Sequence, residues 1–232
     1  MFNLPGRINW LNPLVLTGVF VLLVAGYKLI QPLFFWPVDG VRVLGTIDHV
    51  EKKRLQFVLA DTLASGFLAS DMNEVKKGVE SLPWVAEAQV KRVWPEQIEV
   101  AVTEKQPVAN WLQNGLLDSN LVAFFPATRP DFSDLPKLAG PPGSEKEVWV
   151  FYEKLRERLL VSELSVDVVS LARHGAWSVH IEDGPWLLLG KEQTFERLER
   201  ISAVHSSLKA RWEEVRLIDL RYPNGFSVEW LQ

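Results

Sequence analysis

The longest apolar run of the chain covers residues 14–36 and contains one charged residue, Lys28. As a helix, this run would be roughly 34 Å long at about 1.5 Å per residue. A bilayer core is crossed by about 20 predominantly apolar residues. The pattern therefore predicts a single transmembrane helix over 14–36, a short tail over 1–13 and a soluble part after the helix.

A cleaved signal peptide is the alternative interpretation of this run. Leu14–Gly26 has the length of an apolar h-region, and Val24-Ala25-Gly26 resembles a cleavage site. The segment before it has only Arg7 as a basic side chain, and apolar residues continue well past Gly26. These two features favour an uncleaved anchor, and the positive-inside rule leans towards a cytoplasmic tail.

Residues 41–106 have the pattern of a small α+β unit. The valine-rich segment Val41–Ile47 predicts a strand, and loose apolar stripes predict helices over Asp48–Ser65 and from Asp71 to Leu82. We expect the order strand–helix–helix–strand–strand, with the three strands in one mixed sheet and both helices on one of its faces.

The last two strands of this unit are predicted from strict alternation of side chains. Val85–Val93 and Ile98–Thr103 flank Trp94-Pro95-Glu96, which is typical of an antiparallel hairpin with one buried face. In this register Ala86, Ala88 and Val90 point inward, and Lys91 faces solvent.

Residues after Glu104-Lys-Gln-Pro107 have the pattern of a second, mixed α/β unit. A helix opens at Ser144, and a second helix extends from Phe195 to Trp212. The predicted strands are Val108–Leu112, Leu116-Leu117, Val122–Phe125, Val166–Ala172, Trp177–Ile181, Trp186–Leu189, Val215–Arg221 and Phe226–Trp230. Since a strand near a chain terminus is often a sheet edge with free backbone groups, Phe226–Trp230 is a candidate docking strand.

Composition and motifs indicate no catalytic chemistry. The chain has no cysteine, which excludes disulfides and cysteine zinc sites, and its net charge of −4 argues against nucleic-acid binding. His49, His174, His180 and His205 are scattered without metal-ligand spacing, and no phosphate-binding or nucleophile motif occurs. We therefore expect no metal, no cofactor and no small-molecule substrate, and a protein that is not an enzyme.

Several motifs, in order along the whole soluble length, resemble the FtsQ/DivIB family of bacterial cell-division proteins. The matching segments are Val43-Leu-Gly45, Leu82-Pro-Trp-Val85, Val90-Lys-Arg92, Trp94-Pro95, Glu104-x-x-Pro107-x-Ala109-x-Trp111, Leu117-Asp118, Leu135-Pro-x-Leu-x-Gly140-Pro-x-Gly143, Asp219-Leu-Arg-Tyr222-x-x-Gly225 and Trp230. Any one of them is a weak signal, whereas all of them behind one apolar segment make a specific match.

The resemblance implies a type II, single-pass protein of the bacterial inner membrane with its soluble part in the periplasm, at the division septum. It implies a cytoplasmic tail over 1–13, a POTRA domain (β-α-α-β-β) over 39–106 and a β domain with a mainly antiparallel sheet over 107–232. The implied function is an essential scaffold that links early and late division proteins. The implied partners are FtsB and FtsL, together with other divisome proteins.

Within this resemblance, the end of the chain is the expected partner-binding site. Tyr222, Asn224, Gly225 and Trp230 occupy positions that resemble the family's partner-binding residues. Phe226 belongs to the same strand, Gly225 is expected to have the positive φ of the turn, and Arg221 is expected to offer its guanidinium to a partner carboxylate.

Two other classes of protein remain as alternatives. A POTRA-bearing translocation or export component would normally continue into lipid-facing β-strands, which this sequence lacks. An anchored periplasmic hydrolase would need a convergent cluster of titratable groups, which the sequence does not offer.

Overall fold

The computed structural model describes residues 13–34, 37–159, 164–223 and 225–231. Nearly all of the predicted tail, residues 35–36 of the predicted membrane span and Asn224 of the predicted site lie outside the described residues. The chain divides into two compact units, the first ending at Glu104 and the second beginning at Lys105.

The first element is an α-helix, α1, over Pro13–Phe34. Its described apolar side chains, among them Phe20, Leu22 and Leu23, are exposed. No helix within the described residues is both long enough and apolar enough to cross a membrane. The transmembrane helix expected over 14–36 is therefore not confirmed and remains a prediction.

The rest of the first unit has the predicted order strand–helix–helix–strand–strand. Its elements are β1 (Gly40–Leu44), α2 (Lys52–Thr62), α3 (Met72–Glu80), β2 (Val85–Val93) and β3 (Gln97–Glu104). The central strand β3 runs parallel to β1 and antiparallel to β2, which makes the mixed sheet that was predicted. Helix α3 packs on β2, and α2 packs on α3.

Alternation predicts β3 correctly, whereas the prediction for β2 is partly wrong. Ile98 and Val100 of β3 are fully buried, and in β2 Ala88 is buried while Lys91 is exposed. Ala86, predicted to point inward, is exposed. A register shift between Val85 and Glu87 interrupts the alternation: the bulge leaves Ala86 without an opposite residue and exposed, between the buried side chains of Val85 and Ala88.

Glu104 at the end of β3 ties the loop after β1 to the sheet. Its carboxylate accepts hydrogen bonds from the backbone N–H groups of His49 and Val50, both at 2.8 Å, and lies 3.0 Å from His49 Nδ1. Burial raises the pKa of Glu104, but these hydrogen bonds outweigh it and hold the pKa below its ordinary value. Gly45, in this loop, has a φ of 113°, and a Cβ there would collide with the carbonyl oxygen of Val102.

Arg92 of β2 joins the hairpin to the loop between α2 and α3. Its Nε donates to the carbonyl oxygen of Phe67 at 2.8 Å, and its Nη2 donates to the carbonyl oxygens of Leu68 and Ser70. These carbonyls belong to an irregular segment, where the backbone has few partners of its own. One guanidinium thus satisfies three of them.

The second unit is a sheet of nine strands among the described residues, in the order β12-β11-β10-β9-β8-β7-β4-β5-β6. The strands are β4 (Pro107–Trp111), β5 (Gly115–Asp118), β6 (Ala123–Phe124), β7 (Lys137–Ala139), β8 (Val166–Leu171), β9 (Trp177–Ile181), β10 (Trp186–Gly190), β11 (Val215–Asp219) and β12 (Ser227–Trp230). The pairs β4–β7, β7–β8 and β10–β11 are parallel, and the other five are antiparallel, so the sheet is mainly antiparallel as predicted.

The helices of this unit are α4 (Glu145–Leu159), α5 (Thr194–Glu199) and α6 (Ile201–Leu208), followed by a 3₁₀ helix over Lys209–Glu214. Helix α4 packs on β7 and β8, and α5 packs on β10. The apolar positions predicted for the inner face of α4 are all buried, namely Val148, Phe151, Tyr152, Leu155 and Leu159.

Two features of the second unit differ from the prediction. The single helix expected from Phe195 to Trp212 is divided after α5 at Arg200 and again where the 3₁₀ helix begins. Strand β7 was not predicted, because three residues are too few to show an alternating pattern. It is a strand because its backbone pairs in parallel with β4 on one side and with β8 on the other.

We expect Arg92→Met to lower the free energy of unfolding of the first unit by about 2 kcal/mol, because three partly buried carbonyl groups lose a charged donor. Urea unfolding of the full chain would measure this. The matched control is Lys91→Met in the same strand, which removes the ion pair between the exposed ammonium of Lys91 and Glu99, a surface pair worth about 0–1 kcal/mol. Equal losses in the two variants would contradict the structural role of Arg92.

Candidate partner-binding edge

Strand β12, the last in order among the described residues, lies at one end of the nine-stranded sheet. It pairs with β11 in antiparallel register, from Ser227 opposite Asp219 to Trp230 opposite Val215. No further strand pairs with its outer side among the described residues. The prediction that this strand is a sheet edge is therefore confirmed, and an edge offers unpaired backbone groups to another chain.

Aromatic side chains surround this edge and differ in exposure. Tyr222 before the strand is 54% exposed and Phe226 is 42% exposed. Trp230 is half-buried against the core, and the guanidinium carbon of Arg211 lies 4.0 Å from the centre of its ring. Tyr222 and Phe226 thus have free surface for a partner, whereas Trp230 contributes to the core as well.

The guanidinium of Arg221 is held within the chain. Its Nε and Nη2 donate to the two carboxylate oxygens of Asp219, at 2.9 and 2.7 Å. The Arg221 backbone N–H also donates to Asp219, at 3.0 Å. The fork that the sequence analysis assigns to a partner carboxylate is therefore engaged by Asp219, although 57% of the Arg221 side chain stays exposed.

The Arg221 pair also changes the titration of Asp219, which is 7% exposed. The hydrogen bond from Arg221 holds the pKa of Asp219 below its ordinary value of 3.8, against the opposing effect of burial. Asp219 therefore stays charged at neutral pH and keeps the Arg221 side chain in one orientation.

The conformation predicted for Gly225 stays a prediction, because its φ also depends on Asn224, which lies outside the described residues. Apart from its two chain neighbours, a Cβ at this position would meet no atom of the described residues within 4 Å. The space beside Gly225 is therefore open.

Arg200 is the residue at this edge that sequence reasoning missed. Its guanidinium donates to the carbonyl oxygens of Leu220 and Tyr222 at 3.1 Å, and of Pro223 and Gly225 at 3.4 Å. It thus holds the turn that leads from β11 into β12. Nothing in the local pattern around Arg200 signals this role, because its partners lie 20 or more residues further along the chain.

The four histidines lie in separate places. His49 is paired with Glu104, His180 Nδ1 lies 2.6 Å from Asp167, and His205 contacts the Trp212 ring edge-on. No group of three or more acidic, histidine or cysteine side chains in the described part of the chain is arranged to hold a metal ion.

We expect the stability of the second unit to fall in acid partly through Asp219. A carboxyl group whose pKa is lower in the folded than in the unfolded state stabilises the fold above its unfolded pKa. That contribution is lost as the pH falls through the folded pKa. Urea unfolding at several pH values should therefore show that the free energy of unfolding falls less below about pH 4 in Asp219→Asn than in the unmodified chain. In the control Asp131→Asn, at an exposed carboxylate, the free energy of unfolding should fall as much as in the unmodified chain. An equal fall in Asp219→Asn would contradict the role of Asp219 in acid stability.

We expect Arg200→Met to loosen the turn over 220–226. Backbone amide hydrogen exchange there should quicken about tenfold, because a hydrogen bond from a charged group contributes about 1.5 kcal/mol or more. Exchange in β8 and β9 should stay normal. The control is Arg173→Met, at an exposed arginine between those strands. Unchanged exchange over 220–226 in Arg200→Met would show that the turn keeps its conformation without the hydrogen bonds from Arg200.

Family models match most of the chain. A model described as "POTRA domain, FtsQ-type" matches residues 36–105. A second, described as "Cell division protein FtsQ/DivIB, C-terminal", matches residues 109–221. The chain thus has a POTRA domain followed by the C-terminal domain of this family.

Curated relatives named "Cell division protein FtsQ" match over nearly the whole length. The one from Allochromatium vinosum is 33% identical over 93% of this chain and 88% of its own length. The one from Hahella chejuensis is 32% identical over 90% of this chain and 74% of its own length. The one from Coxiella burnetii is 29% identical over 96% and 93%, respectively. The chain therefore belongs to the FtsQ/DivIB family of cell-division proteins.

Proposed function

We propose that this protein is a non-enzymatic scaffold of the septal division machinery that binds FtsB and FtsL in the periplasm and so links early and late division proteins. The observation that carries the proposal is β12, an edge strand with exposed aromatic side chains beside it. A scaffold needs a surface that another chain can complete, and an edge strand is such a surface.

The proposed mode of binding is strand addition, in which a segment of FtsB pairs with the outer side of β12. Main-chain hydrogen bonds supply affinity, and alternate side chains supply specificity. Ser227 and Glu229 share one face of β12, while Val228 and Trp230 share the face turned towards the core. The partner strand would thus extend both faces of an existing sheet.

Within this site the predicted residues take different roles. Tyr222 and Phe226 provide exposed aromatic surface, and the open space at Gly225 admits a partner backbone. Arg221 presents its remaining N–H groups in the orientation fixed by Asp219. Trp230 anchors the end of the strand, and Asn224 completes the set by resemblance alone.

The domain and membrane assignments belong to the same proposal. Residues 14–36 anchor the chain in the bacterial inner membrane as a type II protein, with residues 1–13 in the cytoplasm. The POTRA domain covers 39–106 and the β domain 107–232, both in the periplasm at the division septum. What supports the anchor is the apolar run itself and the exposure of the described apolar side chains along α1.

The binding site is tested by truncating Tyr222. We expect Tyr222→Ala to weaken binding of the periplasmic part of FtsB about tenfold or more, since aromatic anchors at such interfaces contribute about 2 kcal/mol. Binding is measured by titration and folding by thermal melting. Because Tyr222 is mostly exposed, the melting temperature should stay normal.

The matched control is Phe125→Ala, which removes an aromatic side chain of similar exposure, 56%, beside β6 at the opposite edge of the sheet. Its affinity for FtsB should be unchanged. A Tyr222→Ala chain with normal melting and undiminished binding would remove the basis for this site. Equal weakening by Phe125→Ala would move the site away from β12.

A further inference from the structure

Trp94, at the tip of the β2–β3 hairpin, is 67% exposed, although tryptophan usually buries most of its surface. Trp84, at the opposite end of the same hairpin, is buried. The two residues differ in their surroundings: Trp84, just before β2, stacks on the His49 ring with the ring centres 4.4 Å apart, whereas Trp94 belongs to the turn between β2 and β3. An exposed tryptophan at a tip is a feature that the fold of the first unit does not explain.

The hairpin tip is held firmly in spite of this exposure. The Trp94 ring meets the buried Phe67 ring edge-on, with the ring centres 5.2 Å apart. Arg92, two residues earlier, is bonded to the carbonyls of the same loop, as described above. The exposed Trp94 ring therefore projects from a hairpin tip whose position is fixed by these contacts.

Strand direction places this tip on the side of the first unit from which β1 starts. The strands β1 and β3 are parallel, with Gly40 opposite Gln97, and the Asp39 N–H donates to the Glu96 carbonyl oxygen at 3.0 Å. Residues that precede Gln97, including Trp94, therefore lie beyond the start of β1. This is the direction from which the chain arrives after α1.

The distance along the chain between α1 and this tip is short. Residues 35–39 separate Phe34, at the end of α1, from Gly40. Six Cα-to-Cα steps span at most about 22 Å. If α1 crosses a bilayer, the start of β1 and the tip beside it lie close to the membrane surface.

We propose that Trp94 is a membrane-interface contact, which seats the hairpin tip at the headgroup level of the bilayer that holds α1. This inference rests on the proposed membrane anchor. Tryptophan suits this position because its ring is apolar and its N–H can bond to water or headgroups. The tip would limit how far the POTRA domain tilts on its short connection to the anchor.

The charged side chains near the tip indicate which type of lipid headgroup the tip would contact. Asp39 and Glu96 are acidic, and Arg92 is engaged by three carbonyl groups. The contact therefore does not depend on anionic headgroups. It should form on phosphatidylcholine and should be insensitive to salt.

The test uses the absence of cysteine from the chain, which allows one label at a chosen site. Gln97→Cys places a polarity-sensitive fluorophore beside the tip. Glu87→Cys places the same label opposite Thr103, about 20 Å further along the sheet at about 3.4 Å per residue. Both full-length chains are inserted into phosphatidylcholine vesicles that contain a lipid with a spin-label quencher near the headgroup.

We expect quenching at position 97 to exceed quenching at position 87 by about twofold or more, as an interfacial position requires. Adding Trp94→Ala to the Gln97→Cys chain should reduce this excess. Since Trp94 is mostly exposed, the variant should keep its fold, which circular dichroism would check.

The other outcomes separate this inference from the anchor. Chains that float with the vesicles but show equal quenching at both positions would overturn the membrane contact and leave the anchor standing. Chains that do not float with the vesicles would overturn the anchor and the contact together. A label at position 97 that responds only after FtsB and FtsL are added would make the tip a protein contact and would also overturn the inference.

Discussion

Hydrogen bonding of loop carbonyl groups by arginine is the interaction on which both candidate contact surfaces depend. Arg92 satisfies three carbonyls between α2 and α3, and Arg200 reaches four in the turn before β12. Irregular backbone lacks the ladder partners of helices and strands, so its carbonyls need donors from elsewhere. A guanidinium supplies several donors in a fixed plane and stays charged at any physiological pH.

The consequence is that exposed aromatic side chains sit on well-supported backbone. Trp94 follows Arg92 by two residues, and Tyr222 lies within the turn that Arg200 holds. A contact residue on a loose loop would lose conformational entropy on binding. In this protein that ordering is already provided by folding, which leaves the side chains free to make contacts.

The two edges of the large sheet differ in a way that favours one docking direction. The edge strand β6 has two residues, and a strand this short gives another chain little to pair with. At the other end β12 has four residues, which gives another chain more backbone to pair with. An open edge is an aggregation risk for a protein that acts alone, and its presence fits a protein whose sheet is completed by a partner.

The sequence predicts features that depend on local interactions and misses those that depend on contacts between distant parts of the chain. The alternation in β3 predicts its buried face, because side chains of a strand alternate whatever the strand pairs with. The sequence Asp118-Ser-Asn120 between two predicted strands favours a turn, and the Asp118 carboxylate accepts from the Asn120 and Val122 backbone N–H groups at 2.9 Å, a purely local arrangement. The exposure of Ala86 could not be predicted, since the bulge that turns it outward depends on the pairing with β3.

At the candidate site the same division applies. The sequence by itself determined that a strand forms over Phe226–Trp230, that aromatic residues belong to it or lie beside it and that the family is FtsQ/DivIB, because periodicity and ordered motifs are readable along one chain. Only the tertiary structure decided that Asp219 engages Arg221, that Arg200 holds the turn and that β7 fits between β4 and β8. These contacts depend on how the strands of the sheet come together. The sequence offers many possible donors and acceptors, and only the packing of the fold selects which of them meet.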